Sequence, residues 1–527
     1  MRVLLLYPEF PPSFWTLRET CVFSRKKTLL PPLGLITVAA LLPREWKCRL
    51  VDLNAIPLTD GDWEWAELVL LSGMIVQREG LLSLIREAKR RGKATVVGGP
   101  YATSMPQEVL AAGADFLLRG EGEPTVPLFL AAWRAGEKSG VFQHELKPDL
   151  TASPLPRFDL LNFNAYIDLS IQTSRGCPFD CEFCDVVNLF GRKPRYKEPE
   201  QVLAELEALY RLGWRGTVFI GDDNFIGNQD HARGILTRLL PWMESHGHPF
   251  SFWTQASINL GQAPALIDLM TAANFSDIFI GVESPDEELL AAARKYQNLR
   301  NPMAESLHNI CAQGLSLVAS FVIGFDQEKP GAGERICAFV EQNHIPVVMV
   351  NLLQPLPNTS LWQRLEQTQR LLSHRPSGDS YGLQLNYVPT RPGAEILREY
   401  VDVVDRLYEP SRYLARVYQY YLTMRPTRRF LGLIAAKPGR PRPHGRPANR
   451  PLPGSAFLEL RKLLRLLWRQ GVLAPYRRQF WRQLAGIYRG NPSRLKKYLV
   501  TCGFGENLFW IRKLVLQKAA QLGLRPD

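Results

Sequence analysis

The chain has 527 residues, 46% of them hydrophobic and 22% charged, and a formal net charge of +13. This composition excludes a disordered or fibrous protein, and the length suffices for about three domains that each bury a core. The charge is unevenly placed: Lys437 to Asp527 holds 20 Lys+Arg against 3 Asp+Glu, which leaves residues 1–436 at −4 and argues against a basic, nucleic-acid-binding body. No run of about 18 residues is apolar and free of charge and proline. The nearest, Thr28 to Pro43, contains Pro31, Pro32 and Gly34, so no membrane span is expected. The opening MRVLLLYPEF reads as a first β-strand rather than a cleaved leader, and a cytoplasmic protein is expected.

Residues 1–145 read as a separate α/β unit. Short strands are expected at Val3–Tyr7, Cys48–Leu53, Leu68–Ser72, Ala94–Gly98 and Phe116–Leu118, with helices over Gly34–Leu42, Leu81–Arg91 and Pro106–Ala112. This alternation predicts a doubly wound sheet with its ligand crevice at the carboxyl ends of the strands. Those ends carry Asp52-Leu-Asn54, Ser72-Gly73-Met74, Gly98-Gly99-Pro100 and Gly120-Glu-Gly-Glu123, where glycines let a ligand approach the backbone. No G-x-G-x-x-G follows the first strand, which disfavours a dinucleotide site of the usual kind.

Residues 160–370 form the next unit. Tyr166–Ser174 has strand character and turns at Arg175-Gly176 into Cys177-x3-Cys181-x2-Cys184. The other five cysteines are scattered and read as small core residues. Three thiols on one short loop of a cytosolic chain point to metal ligation rather than disulfides. Zinc would want four ligands, and no second Cys or His pair follows at finger spacing. A four-iron cluster held by three thiolates keeps one iron open to an exogenous ligand. After the loop come a helix at Pro199–Leu212, a strand at Thr217–Gly221 that ends in Asp222-Asp223-Asn224, and strands at Phe250–Gln255, Asp277–Glu283, Leu315–Gly324 and Pro346–Asn351. Such a repeat predicts a parallel sheet or barrel whose ligands sit at the strand carboxyl ends.

Beyond Leu352–Thr359 the residues change character. Residues 371–436 read as a helical accessory region, with aromatic-rich helices at Tyr400–Leu407 and Pro410–Tyr421. Residues 437–454, dense in Pro and Arg, are expected to be a linker, and 455–527 a basic helical region. In SAFLELRKLLRLLWRQ, Arg461, Lys462, Arg465 and Arg469 fall within about 100° of the helix circumference, while Phe457, Leu460, Leu463, Leu464, Leu467 and Trp468 fill much of the rest. This helix fits an anionic membrane interface, or packing on the body with its basic face in solvent.

With Phe183 before its third cysteine, the Cys177-x3-Cys181-x2-Cys184 loop resembles that of the radical S-adenosylmethionine (SAM) superfamily. The resemblance implies a [4Fe–4S] cluster on Cys177, Cys181 and Cys184, SAM on the open iron, and its one-electron cleavage to a 5′-deoxyadenosyl radical that abstracts hydrogen from an unactivated carbon. It aligns Gly221, Asp222, Asp223 and Asn224 with the motif for the SAM amino group, and carries Phe183, Gln255, Ser257 and Glu283 over to SAM binding. Leu30-Pro-Pro-Leu-Gly34-Leu, Val97-Gly-Gly-Pro100 and Gly120-Glu-Gly-Glu123 ahead of such a core resemble the cobalamin-binding subgroup, over residues 1 to about 430. Ser72, Gly73, Gly98 and Gly99 would then accommodate the nucleotide tail. No D-x-H-x-x-G is present, so cobalamin would be base-off with no histidine ligand.

The fold class implied is α/β: an N-terminal doubly wound Rossmann-like cobalamin-binding domain, a central partial (β/α)6 radical SAM barrel and a C-terminal mainly helical domain. Tyr7-Pro-Glu-Phe-Pro, Ser13-Phe-Trp15 and Asp222-Asp-Asn-Phe-Ile-Gly227 look like the hopanoid C-2 methylase branch. The resemblance thus implies a cobalamin-dependent radical SAM methyltransferase acting on an unactivated carbon of a lipid-like substrate, in its finer form hopanoid C-2 methylation. An external one-electron reductant such as ferredoxin or flavodoxin is implied, with no nucleic-acid partner. Peripheral contact with the inner membrane face through the basic C-terminal region is also expected. No side chain is assigned as catalytic acid or base. The alternatives are a radical SAM oxidative cyclase or ring-rearranging enzyme without methyl transfer, and a non-catalytic cobalamin or SAM sensor.

Overall fold

Six parallel strands make the first sheet, in the order β2-β1-β3-β4-β5-β6. They are β1 (Arg2–Tyr7), β2 (Lys47–Asp52), β3 (Leu68–Ser72), β4 (Ala94–Gly98), β5 (Phe116–Arg119) and β6 (Gly140–Gln143) in a computed structural model that describes residues 1–372, 381–435 and 455–524. The run Val3-Leu-Leu-Leu6 is wholly buried because β1 has strand neighbours on both edges and helices on both faces. Chain order reverses between β1 and β3, which opens a crevice at their carboxyl ends. Several elements go beyond the sequence reading, among them the short helices Arg18–Ser24, Asp60–Trp65 and Pro100–Ser104. The edge strand β6 is four residues long, too short to show alternation, and the helix Gly122–Arg134 is masked in sequence by Gly122, Pro124 and Pro127.

The second sheet also has six parallel strands, now in sequential order: β7 (Leu169–Ile171), β8 (Thr217–Ile220), β9 (Ser251–Ala256), β10 (Phe275–Glu283), β11 (Ser316–Ile323) and β12 (Val347–Leu352). This is the partial (β/α)6 barrel. In β9 buried residues alternate with half-buried ones, so Phe252, Thr254 and Ala256 pack outward under helices while Trp253 and Gln255 take the other face.

The remaining helices wrap this core. Gly393–Leu407 and Pro410–Thr423 bury Tyr400, Tyr408, Tyr413 and Tyr421. The long helix Leu495–Gln521 reaches both other units: Phe504 packs on Phe14 at 5.6 Å, and Lys497 pairs with Asp277 of β10. The segment expected to be a linker, 437–454, lies outside the described residues.

The Ser455–Trp468 helix packs through Leu466, which is buried, with Leu463 and Leu467 half-buried beside it; of its basic face Arg461 and Arg465 are exposed, as expected, while part of that face also engages the body. Arg465 and Arg469 lie over the ring of Phe23 at 5.5 and 5.0 Å. Arg469 also bonds Glu19 at 3.1 Å and Glu506 at 2.9 Å. Leu460, Leu464 and Trp468 are 52, 56 and 58% exposed. The cause of the engagement is local: the body offers these guanidiniums two carboxylates and an aromatic face. Among the described residues no helix is long and apolar enough to cross a membrane.

Candidate active site

The cysteine loop is shaped before its first thiol. Ser174–Arg175 pairs antiparallel with Arg195–Tyr196, closing the excursion between them. Gly176 has φ +96°, and a Cβ there would lie 2.9 Å from the Gly191 carbonyl and 3.3 Å from that of Lys193, so only glycine fits. Asp222, 1% exposed, accepts hydrogen bonds from the backbone N–H groups and the hydroxyls of both Thr173 and Ser174. With both oxygens engaged it braces the loop entry, a role different from the contact with a SAM amino group expected of it. Asp223 accepts from Gly176 N at 2.8 Å, and burial pushes its carboxyl up to about 6. Asn224 and Ser257 are bonded to each other, Nδ2 to Oγ at 3.1 Å and Ser257 N to Oδ1 at 3.1 Å. Gly221 donates to the Ile171 carbonyl and borders the cavity described below.

Cys177, Cys181 and Cys184 all carry free thiols. Burial raises Cys177 and pushes Cys184 up to about 12, so binding iron must displace protons. Among the described residues no three His, Cys, Asp or Glu side chains converge as a single ion would require. The loop is held from outside. Glu182 N donates to the Ala293 carbonyl at 3.1 Å, its carboxylate pairs with Arg364 at 2.9 Å, and Phe183 packs edge-on against Phe325 at 5.5 Å.

Facing the loop is the end of β10. Glu283, at φ +67°, bonds Lys295 Nζ at 2.8 Å and accepts from Ser320 Oγ at 3.1 Å. A Cβ on Gly281 would meet the Glu283 carboxylate and Lys295 Nζ, so a larger residue there would push this ion pair aside. Burial alone would lower the Lys295 ammonium, but Glu283 and the thiols Cys181 and Cys184 outweigh it and keep the group charged. Lys295, Gln297 and Asn298 were not anticipated, because they lie on and beside a short 3-10 turn without periodicity. The one sequence signal was a Lys-Tyr-Gln-Asn run of polar side chains behind a strand-end glutamate. Gln255 stands on β9, half-buried, at the same end of the barrel.

The crevice of the first sheet and the barrel share a cavity of about 390 Å³. Ser72, Gly73, Gly98 and Gly99 line it on one side; Ser170, Gln172, Phe219 and Gly221 line it on the other. Gly99 has φ +90°, and a Cβ there would collide with Ser72 Oγ, so β3 and β4 can end side by side only as they do. The Gly120-Glu-Gly-Glu123 turn ties the two units together. Glu121 accepts from Arg175 at 2.7 Å and from Arg195 at 2.7 and 3.0 Å, and Glu123 pairs with Arg175 at 2.9 Å. This bears on the cysteine loop directly, since Arg175 lies two residues before Cys177.

Behind the cavity the barrel is aromatic. Phe219 stacks on Trp253 at 3.9 Å, and Trp15 lies 6.3 Å from Trp253 and 5.4 Å from Phe279. Trp253 Nε1 donates to Asp168 at 2.9 Å, and burial raises that carboxyl to about 6.

Models for the B12-binding domain, the radical SAM superfamily and a domain of unknown function (DUF4070) match residues 20–130, 171–340 and 359–521. An uncharacterised methyltransferase of Synechocystis sp. is 46% identical, over 99% of this chain and 94% of its own length. The hopanoid C-2 methylase of Rhodopseudomonas palustris is 32% identical, over 95% and 92%. The radical SAM methyltransferase TsrM of Kitasatospora setae, solved with cobalamin and a [4Fe-4S] cluster bound, superposes with a TM-score of 0.56 at 16% identity, covering 76% of this chain and 85% of its own.

Proposed function

The chain belongs to the cobalamin-binding radical SAM methyltransferases that include the hopanoid C-2 methylase, and on that premise we propose that it methylates an unactivated ring carbon of a fused-ring lipid, in its finest form carbon 2 of a hopanoid. The observation that carries the substrate class is the apolar lining of the shared cavity, which includes Leu70, Val96, Leu118 and Phe219, with Trp253 stacked on Phe219. Such apolar surfaces bind a rigid hydrocarbon by desolvation and dispersion, and offer it no polar partner.

The cofactors supply the chemistry that side chains cannot: a cluster and SAM generate a carbon radical, and cobalamin carries the methyl group. The chain's own residues hold and shield these groups. Cys177, Cys181 and Cys184 would ligate the cluster. Phe183, Gly221, Asp223, Asn224, Gln255, Ser257 and Glu283 would contribute to the SAM site, with Asp222 bracing the loop. Ser72, Gly73, Gly98 and Gly99 would receive the nucleotide tail of cobalamin. The apolar walls exclude water, which protects a reactive carbon centre from quenching. Electrons would come from an external one-electron donor of the ferredoxin or flavodoxin type.

Contact with an anionic membrane face is part of this proposal. Leu460, Leu464 and Trp468 form an exposed i, i+4, i+8 row, Val472 continues it, and from Leu460 to Gly505 the sequence has eleven Lys+Arg and no Asp or Glu. Lipid mass spectrometry of a deletion strain tests the substrate: a triterpenoid heavier by one methylene unit should vanish and return on complementation. An unchanged lipid profile overturns the hopanoid assignment. Flotation with anionic liposomes tests the membrane contact, and equal recovery with neutral and anionic vesicles overturns it.

A further inference from the structure

We propose that Gln297 donates a hydrogen bond to the sulfur of Cys181 and thereby raises the reduction potential of the cluster which that sulfur ligates. The inference rests on the radical SAM reading above and adds a positioning residue to it. Gln297 Nε2 lies 3.5 Å from Cys181 Sγ, within reach of an N–H donor to sulfur. A ligating thiolate carries lone pairs and no hydrogen, so the amide can only present its N–H side to it. Among the described residues, Cys181 alone of the three receives a hydrogen bond from another side chain.

The amide is poorly explained as packing. Gln297 is 4% exposed, and its Oε1 has no partner among the described residues. A buried acceptor left unsatisfied is destabilising, which a leucine of similar size would avoid. The donor is also held rigidly. It sits on the Tyr296–Asn298 turn, whose Asn298 Nδ2 donates to the carbonyls of Gly281 at 3.0 Å and Val282 at 2.9 Å. On the other side, the bond from Glu182 N to the Ala293 carbonyl stitches the same segment to the cysteine loop. Donor and acceptor are therefore fixed before any cluster is present.

The electrostatic consequence has a definite sign. One-electron reduction adds negative charge to the cluster and its thiolates, and an N–H dipole aimed at one sulfur stabilises the reduced form more than the oxidised form. Burial amplifies the effect, because little water competes for the sulfur.

The test is an EPR-monitored redox titration of the anaerobically reconstituted full-length chain. Iron and sulfide content comes first: a wild-type chain that takes up no iron overturns both this inference and the radical SAM reading. With the cluster loaded, Gln297→Leu should shift the midpoint to more negative potential and Gln297→Glu further still, while Tyr296→Phe on the exposed neighbour leaves it in place. An unmoved midpoint in iron-loaded Gln297→Leu overturns this inference alone. Should that variant fail to hold iron, the wild-type chain decides through pulsed EPR of the reduced cluster with 15N-labelled glutamine amides. A weak nitrogen coupling is expected, and its absence overturns the proposal.

Discussion

Glu121 is the residue through which the first unit grips the entry of the cysteine loop, and a single substitution tests that grip. Its carboxylate is 2% exposed and accepts three charged hydrogen bonds, one from Arg175 and two from Arg195. Glu123 gives Arg175 a second partner, whereas Arg195 has no other carboxylate among the described residues. Two cations and two anions balance. Burial alone would raise the Glu123 carboxyl, but the charge and hydrogen bonds of Arg175 hold it below the usual range. Glu121→Ala leaves one uncompensated buried guanidinium, and losing one partner of a buried pair costs about 3–5 kcal/mol. Glu121→Gln keeps the shape and one acceptor oxygen, so about half that loss is expected, at roughly 1.5–3 kcal/mol per charge-assisted bond. Urea unfolding of the apo chain reads the stability, and iron bound per chain reads the effect on the cysteine loop. Both should fall in the order wild type, Gln, Ala. Removing the stranded cation as well, in Glu121→Ala with Arg195→Ala, should recover part of the loss. A Glu121→Ala variant within about 1 kcal/mol of wild type would refute the claim that this network stabilises the junction.

Three further outcomes follow from geometry already given. Gly176→Ala should lose most of its iron on reconstitution while keeping its circular dichroism, because the φ of +96° and the Gly191 carbonyl leave no room for a Cβ; normal iron content would contradict this. Gly99→Ala should retain less cobalamin on gel filtration, since its Cβ would strike Ser72 at the joint end of β3 and β4. Asp168, raised to about 6 in the fold from an ordinary 3.8, should make wild type lose stability relative to Asp168→Asn as pH rises from about 4 to 6, by roughly 2–3 kcal/mol, and leave the difference flat above that. The sign follows because the unfolded chain releases this proton first; a difference independent of pH would contradict the buried placement.

The strands were the most legible feature of the sequence. Leu68–Ser72 and Ala94–Gly98 appear with the bounds that their apolar runs imply, since β3 and β4 are buried on both faces and flanked by polar or glycine residues. The cysteine spacing likewise pointed to one loop, because local spacing fixes local chemistry. What stayed hidden depends on contacts between distant segments. Asp222 reads in sequence as one of three interchangeable strand-end groups, and only the closeness of Thr173 and Ser174 separates it from Asp223. Gln297 comes near Cys181 across 116 residues, a relation that no periodicity encodes. The Ser455–Trp468 helix shows its two faces plainly in sequence, but the contacts of Arg469 with Glu19, Phe23 and Glu506, two of them more than 400 residues away, do not show there.

Lys497 joins Asp277 across 220 residues of chain, at the amino-terminal end of β10. A ribosome making this protein therefore finishes all six barrel strands long before it adds the cation that neutralises the acidic floor, where Asp168 also lies. Until the last helix emerges, the nascent barrel keeps two carboxylates under its aromatic wall without their counter-ion, and water has every reason to stay there. The charge balance of this floor is thus one of the last things synthesis completes, and it waits on the Leu495–Gln521 helix.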